Sequence, residues 1–233
     1  MLRNIFATMF LLVGMGVVNA DNHVAPVALF FGISTDNGSA VVEAWDQYMS
    51  SDCAKGFPGQ ITIMNEFFNG DYPATHTVIM NFPDAKAWEA SFASYQCTEW
   101  GTLLQSTGAI SSNISQSLGV GVLQKGDQIE DLAYTIVQMT ITDESAYTEA
   151  FDDWMSAQIK AGQKISSYGL VRIVGGRHES TGTHFAYIGV KSNADLIGNS
   201  LGNDAKLLQK FQGKVDGIRT LHRINVNYVG KRY

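Results

Sequence analysis

Glu43-Ala44-Trp45-Asp46-Gln47-Tyr48-Met49-Ser50 returns 106 residues later as Glu149-Ala150-Phe151-Asp152-Asp153-Trp154-Met155-Ser156. Five of the eight positions are identical, and the third exchanges one aromatic for another. Downstream, Thr75-His76 returns as Thr183-His184 at a spacing of 108, which requires only a two-residue insertion between the islands. Two islands in the same order mark an internal repeat.

Periodicity around the islands predicts the same succession of elements in both copies. An apolar strand over residues 26–36 precedes Val41, Val42, Trp45, Tyr48 and Met49 at helical spacing; a strand over 132–142 precedes Tyr147, Phe151, Trp154 and Met155. The aromatics therefore read as core, with Ser39 and Ser145 placed to cap the helix starts. Strands over 60–68 and 74–82 flank Asn69-Gly70-Asp71, and strands over 167–175 and 183–191 flank Gly176, Ser180 and Gly182, which is hairpin chemistry. A second helix follows, carried by Ala85, Trp88, Phe92 and Tyr95 in one copy and by Leu207, Leu208, Phe211 and Val215 in the other. Closing strands over 112–123 and 218–229 complete β-α-β-β-α-β twice, the ferredoxin-like unit, in a fold of class α+β.

This order, the Phe57-Pro58-Gly59 turn before a strand, and the strand running into Asn81-Phe82-Pro83-Asp84-Ala85 resemble the dimeric α+β barrel superfamily, which includes the antibiotic-biosynthesis-monooxygenase-type domains. The resemblance implies two four-stranded sheets packed face to face around a pocket, with one chain here supplying both halves. Physical chemistry points the same way, because a sheet with helices on one face must cover the other if that face is apolar.

Strand alternation separates the two faces. Val27, Leu29, Phe31 and Ile33, with Ala133, Thr135, Val137 and Met139, form the set expected under the helices. The opposite set mixes aromatic and polar groups: Ala28, Phe30, Gly32 and Ser34 in one copy, Tyr134, Ile136, Gln138 and Thr140 in the other. Such a mixture suits a lumen that holds a small ligand. Asn81 and Tyr187 join Phe30, Ser34, Tyr134 and Gln138 as lumen candidates by parity, and Arg172 is a further candidate. A one-register ambiguity leaves the faces of Asn65, Glu66 and Arg172 open; an opposed Glu66 and Arg172 would form an ion pair, structural more often than catalytic.

The start of the chain predicts export. Arg3 precedes an apolar run from Ile5 to Val18, shorter than the roughly 20 residues a spanning helix needs. Val18, Asn19 and Ala20 then suit a signal peptidase, so a leader over 1–20, a first repeat over 21–126 and a second over 127–233 are expected, in the periplasm or outside the cell. Loss of Arg3 leaves 15 basic against 22 acidic residues, a net charge of −7. That sign disfavours phosphate backbones and anionic lipid surfaces, so neither nucleic acid nor membrane is an expected partner. In an oxidising compartment the two cysteines, Cys53 and Cys97, are expected to form a disulfide, closing a loop of about 45 residues worth roughly 4 kcal/mol.

His76 and His184 occupy equivalent strand starts, as hydrogen-bonded strand-end groups or functional ones. The spacing of His178, Glu179 and His184 matches no metal signature, and no metal site is expected. In the superfamily, haem-binding members place a histidine on a helix, whereas all five histidines here fall in expected strands, turns or the N-terminal segment. No cofactor is therefore expected, and no nucleophile elbow, phosphate loop, dinucleotide fingerprint or CxxC pair is present.

The reading that follows is an exported protein holding a small apolar or aromatic molecule in its lumen. The alternatives are a cofactor-independent monooxygenase or isomerase, which the resemblance implies, and a non-catalytic interaction module. Whether a reaction is catalysed, and whether the chain forms a homo-oligomer, stay open at this level.

Overall fold

The computed structural model describes residues 25–177, 182–201 and 204–233. The first half contains β1 (Val27–Ser34), α1 (Gly38–Met49), β2 (Gln60–Phe68), β3 (His76–Phe82), α2 (Ala85–Ser91), α3 (Thr98–Ile110) and β4 (Ser112–Gly126). The second contains β5 (Ala133–Ile141), α4 (Glu144–Lys160), β6 (Ser167–Gly175), β7 (His184–Val190), α5 (Asn193–Leu201), α6 (Ala205–Val215) and β8 (Arg219–Arg232). The leader expected at 1–20 lies outside the described residues, and no described helix is long and apolar enough to cross a membrane.

The strands order as β4-β1-β3-β2 in one half and β8-β5-β7-β6 in the other, and pairing of β2 with β8 and of β4 with β6 closes all eight into one barrel. Closure leaves no sheet edge unpaired. The last strand of each half does this by outrunning its own sheet. Residues 112–120 of β4 pair with β1, and residues 118–126 pair with β6. In β8, residues 219–228 pair with β5, and partners from Val226 to Arg232 pair with β2. The periodicity stops β4 at 123 and β8 at 229 because their ends are held by the other half, a contact that one copy does not encode. The register shift between Gly32 and Ile33 in β1 against β4 is matched by one between Gln138 and Met139 in β5 against β8, so the halves repeat in irregularity as well as in order.

Helix caps correct one expectation. The side chains of Asn37 and Asp143, not those of Ser39 and Ser145, accept from the backbone N–H groups of Ala40 at 3.2 Å and Ala146 at 3.0 Å. A capping side chain must stand just before the first turn, whereas both serines already belong to it. Ser39 instead donates to Asn37 Oδ1 at 2.9 Å.

Under the helices lie two main cores, one per half, and a smaller cluster of Ala133, Val190 and Leu196. Val41, Trp45, Tyr48, Ile61, Val78 and Phe82 anchor the first; Met139, Tyr147, Phe151, Met155, Leu170 and Phe211 anchor the second. The repeated aromatics thus bury where their spacing places them, and Trp154 stacks on Phe211 at 4.5 Å. The second helical region of each half is two helices rather than one. In the first half α2 runs into a 3-10 turn, and α3 then packs Trp100 edge-on against Tyr48 at 5.4 Å. Thr98, Gly101, Thr102 and Gly108 are weak helix formers, so burial of Trp100 and Leu103 outweighs local preference here. Cys53 and Cys97 are joined across a Cα–Cα distance of 6.3 Å, tying the chain after α1 to the cap of α3.

Candidate functional site

The inner faces of the eight strands enclose a cavity of about 850 Å³. Its apolar lining includes Phe30, Met64, Ile79, Ile136, Val171 and Phe185, with Phe30 and Phe185 edge-to-face at 4.9 Å. Alternation explains this lining, since the same strands turn Val27, Leu29, Phe31 and Ile33 to the first core and Met139 to the second. Of the sequence candidates, Phe30, Asn81, Tyr134, Gln138 and Tyr187 line the cavity.

Two other candidates do not. Ser34 is the last residue of β1, beyond the rung at which Gly32 still lines the lumen. Arg172 points out of the barrel, because its neighbours Val171 and Ile173 point in; it meets Glu144 of α4 at 3.2 Å. Arg172 and Glu66 therefore lie on opposite sides of the wall and form no pair.

Glu66 enters the lumen from β2 and is the carboxylate whose face the sequence left open. Its Oε1 accepts from Thr77 Oγ1 at 2.5 Å and from Asn227 Nδ2 at 2.7 Å, and its Oε2 accepts from Asn225 Nδ2 at 2.9 Å. Asn225 Nδ2 also donates to Asn227 Oδ1 at 2.7 Å. Both asparagines are buried, at 3% and 5% exposure, and these bonds commit their amide nitrogens. Asn225 Oδ1, Gln138 Oε1 and Arg223 Nε are left buried without a hydrogen-bond partner among the described residues. The Arg223 guanidinium stacks on the Tyr72 ring at 3.6 Å, and Tyr72 Oη bonds Ser115 Oγ at 2.6 Å.

Arg223, Asn225 and Asn227 share the inner face of β8 by alternation, a pattern readable from sequence once that strand's direction is known. Sequence reasoning missed them because it applied strand alternation to the first and third strands of each copy and assigned no faces on the closing strands.

A second polar group gathers around Tyr134 and Tyr187. Gln128 Nε2 donates to Tyr187 Oη at 2.6 Å, and Arg232 Nη2 donates to the carbonyls of Gln128 and Asp131, each at 2.9 Å. Burial pushes both tyrosines above the ordinary phenol range, so they face the lumen as neutral hydroxyls at physiological pH.

The equivalent histidines lie elsewhere. Thr75 Oγ1 bonds His76 Nδ1 at 2.9 Å and accepts from the N–H of Thr35 at 3.0 Å; Thr183 Oγ1 bonds His184 Nδ1 at 2.7 Å and accepts from the N–H of Ile141 at 3.0 Å. Each Thr-His pair thus ties two strands together outside the lumen, beside the first residue of a helix. That residue is Gly38 next to His76, where a Cβ would come within 2.4 Å of the ring, and Glu144 bonded to His184 Nε2 at 2.8 Å. Burial lowers the pKa of both imidazoles; for His184, Glu144 opposes the shift.

None of the described helices carries a histidine, and no described histidine lines the cavity, so the described residues do not fit a histidine-ligated haem. His23, His178 and Glu179 lie outside the described residues. The three-residue group of metal-binding types found among the described residues is Cys53, Cys97 and Glu99, in which the two sulfurs are already bonded to each other.

Solved structures share this arrangement. A provisionally named monooxygenase from Lactobacillus acidophilus NCFM superposes with a TM-score of 0.60 at 8% identity, over 89% of this chain and 95% of its own. This is the dimeric α+β barrel fold. An anthrone oxidase-like protein matches at 0.58 and 12% identity, over 91% of this chain and 94% of its own. A mutant chlorite dismutase from Candidatus Nitrospira defluvii matches at 0.55 and 11% identity, over 88% of this chain and 92% of its own. No protein-family model and no curated protein matches the sequence. At such identities the likeness carries the barrel and not its chemistry, which rests on the lumen itself.

Proposed function

We propose that this dimeric α+β barrel binds a small, largely aromatic molecule in its lumen. The supporting observation is the cavity of about 850 Å³, whose lining sets aromatic and aliphatic side chains beside fixed polar groups. Volume and lining of this kind belong to small-molecule sites. Export belongs to the same reading: a leader over 1–20, two copies over 21–126 and 127–233, and the Cys53–Cys97 bridge suit an oxidising compartment.

Native mass spectrometry of protein purified from its own host tests the reading, since a non-covalent adduct identifies the ligand class. Loss of that adduct on filling the lumen by Val171→Trp, with the fold retained, is the expected result. An adduct that survives the substitution places the ligand elsewhere and overturns the proposal.

A second reading is favoured by one observation, the Glu66 carboxylate in the lumen, held by Thr77, Asn225 and Asn227. In a cofactor-independent oxygenase or isomerase, such a carboxylate takes a proton from the bound substrate while neutral groups such as Tyr134, Asn81 and Gln138 hold it in place. Structural neighbours named as a monooxygenase and an anthrone oxidase-like protein support this class. An enzyme loses turnover in Glu66→Gln with its fold intact, whereas a carrier shows ligand-induced stabilisation and no product.

A further inference from the structure

The lumen has the opposite sign to the chain that encloses it. The sequence carries a formal net charge of −6, whereas the charged side chains lining the cavity among the described residues are two arginines, Arg223 and Arg232, and one carboxylate, Glu66. Two of the three are already matched. Glu66 accepts from Thr77, Asn225 and Asn227, and Arg232 Nη2 donates to the carbonyls of Gln128 and Asp131. The Arg223 guanidinium has no hydrogen bond and no ion pair among the described residues. Its Nε is sealed in the wall, while Nη1 and Nη2, equally unpaired, keep accessible surface. Gln138 Oε1, the buried acceptor opposite it in the β5–β8 register, satisfies at most one N–H donor, and a neutral amide leaves the charge unmatched.

The guanidinium is also held in place. Tyr72 reaches across Gly32, where a Cβ would come within 2.6 Å of Tyr72 Oη and Ser115 Oγ, and its hydroxyl bonds Ser115 of β4 at 2.6 Å. The anchored ring lies 3.6 Å from the Arg223 guanidinium carbon on β8. Along the barrel wall the rung of Arg223 continues through Gln138 to Phe185, whose ring meets Phe30 edge-on at 4.9 Å. A fixed cation with free terminal nitrogens thus stands beside the aromatic lining.

We infer that Arg223 receives an acid group of the occupant, so that the lumen takes an aromatic carboxylate. The inference rests on the lumen-binding reading and adds the ligand's charge to it. A guanidinium partly withdrawn from water without a counter-charge is costly, and its planar fork of donors matches the two oxygens of a carboxylate. Tyr72, which orients the fork, acts as a positioning residue.

Two probes of one shape test this by calorimetry at neutral pH: 2-naphthoate, which is ionised, and 2-naphthamide, which is not. In the native protein the anion binds at least about tenfold more tightly, the size of one charge-assisted hydrogen bond, against the repulsion of a negatively charged chain. In Arg223→Met that preference disappears while affinity for 2-naphthamide stays within about twofold. In Arg172→Met, which removes a positive charge outside the barrel, the preference is kept. Circular dichroism verifies both folds. Equal affinity of the native protein for the two probes overturns the inference and leaves the lumen-binding reading standing, and so does a preference that survives Arg223→Met. Failure of both probes to bind the native protein overturns both, and neither native measurement depends on a variant folding.

Discussion

Removing the Cys53–Cys97 bridge measures how far the first half depends on an oxidising compartment. The cysteines lie 44 positions apart, and chain entropy values such a closed loop at roughly 4 kcal/mol through the constraint it places on the unfolded ensemble. For a chain of this size that is a fall in melting temperature of about 8–16 °C. The double variant Cys53→Ser/Cys97→Ser suits the test because the Ser94 carbonyl lies 3.2 Å from one sulfur and 3.3 Å from the other, so a hydroxyl finds an acceptor near either position. Urea unfolding followed by tryptophan fluorescence reads the loss, because Trp45 and Trp100 sit in the adjoining core. The expected result is a loss of about 3–4 kcal/mol with a larger denaturant slope, reproduced by reduced native protein. Equal midpoints for oxidised protein, reduced protein and the double variant would refute the reasoning.

Three further outcomes follow from the packing and the ionisable groups. Phe151→Ala opens space between Tyr147, Trp154 and Phe211 and is expected to cost about 3–5 kcal/mol in urea unfolding; a loss below about 1 kcal/mol would remove it from the core. His76 is half-buried, and burial holds its pKa below the ordinary 6.5, so the unfolded chain binds its proton more readily than the folded one. Stability from this group is complete above pH 6.5 and declines as pH falls toward the depressed folded value; His76→Gln therefore flattens the stability profile between about pH 7.5 and 5, and an unchanged slope would contradict the burial. Arg172→Met removes an exposed pairing with Glu144 and is expected to cost under about 1 kcal/mol while leaving any co-purifying adduct in place, whereas loss of that adduct would put Arg172 back in the lumen.

The candidate site was half legible before any coordinates. Phe30, Asn81, Tyr134, Gln138 and Tyr187 follow from alternation on strands whose other face is plainly aliphatic. Arg172 and Glu66 sit on strands where polar and apolar residues do not alternate cleanly, so parity alone could not decide which of them turns inward. The inner face of β8, with Arg223, Asn225 and Asn227, went unassigned because that strand is fixed by pairing with β5 along one stretch and with β2 at its end, contacts that its own sequence does not encode. The repeated histidines were left open between strand-end groups and functional ones, and their geometry is that of a threonine-histidine tie beside a helix start.

By itself the sequence determined the repeat, the order of elements, the aromatic core stripe and the face of each well-patterned strand, because these depend on periodicities of two and 3.6 residues within a single segment. Only the tertiary structure decided that β4 and β8 cross into the opposite half, that Glu66 rather than Arg172 enters the lumen, and that Asn225 and Asn227 donate to that carboxylate. Each of these depends on contact between residues far apart in the chain, and Asn225 and Glu66 stand 159 positions apart.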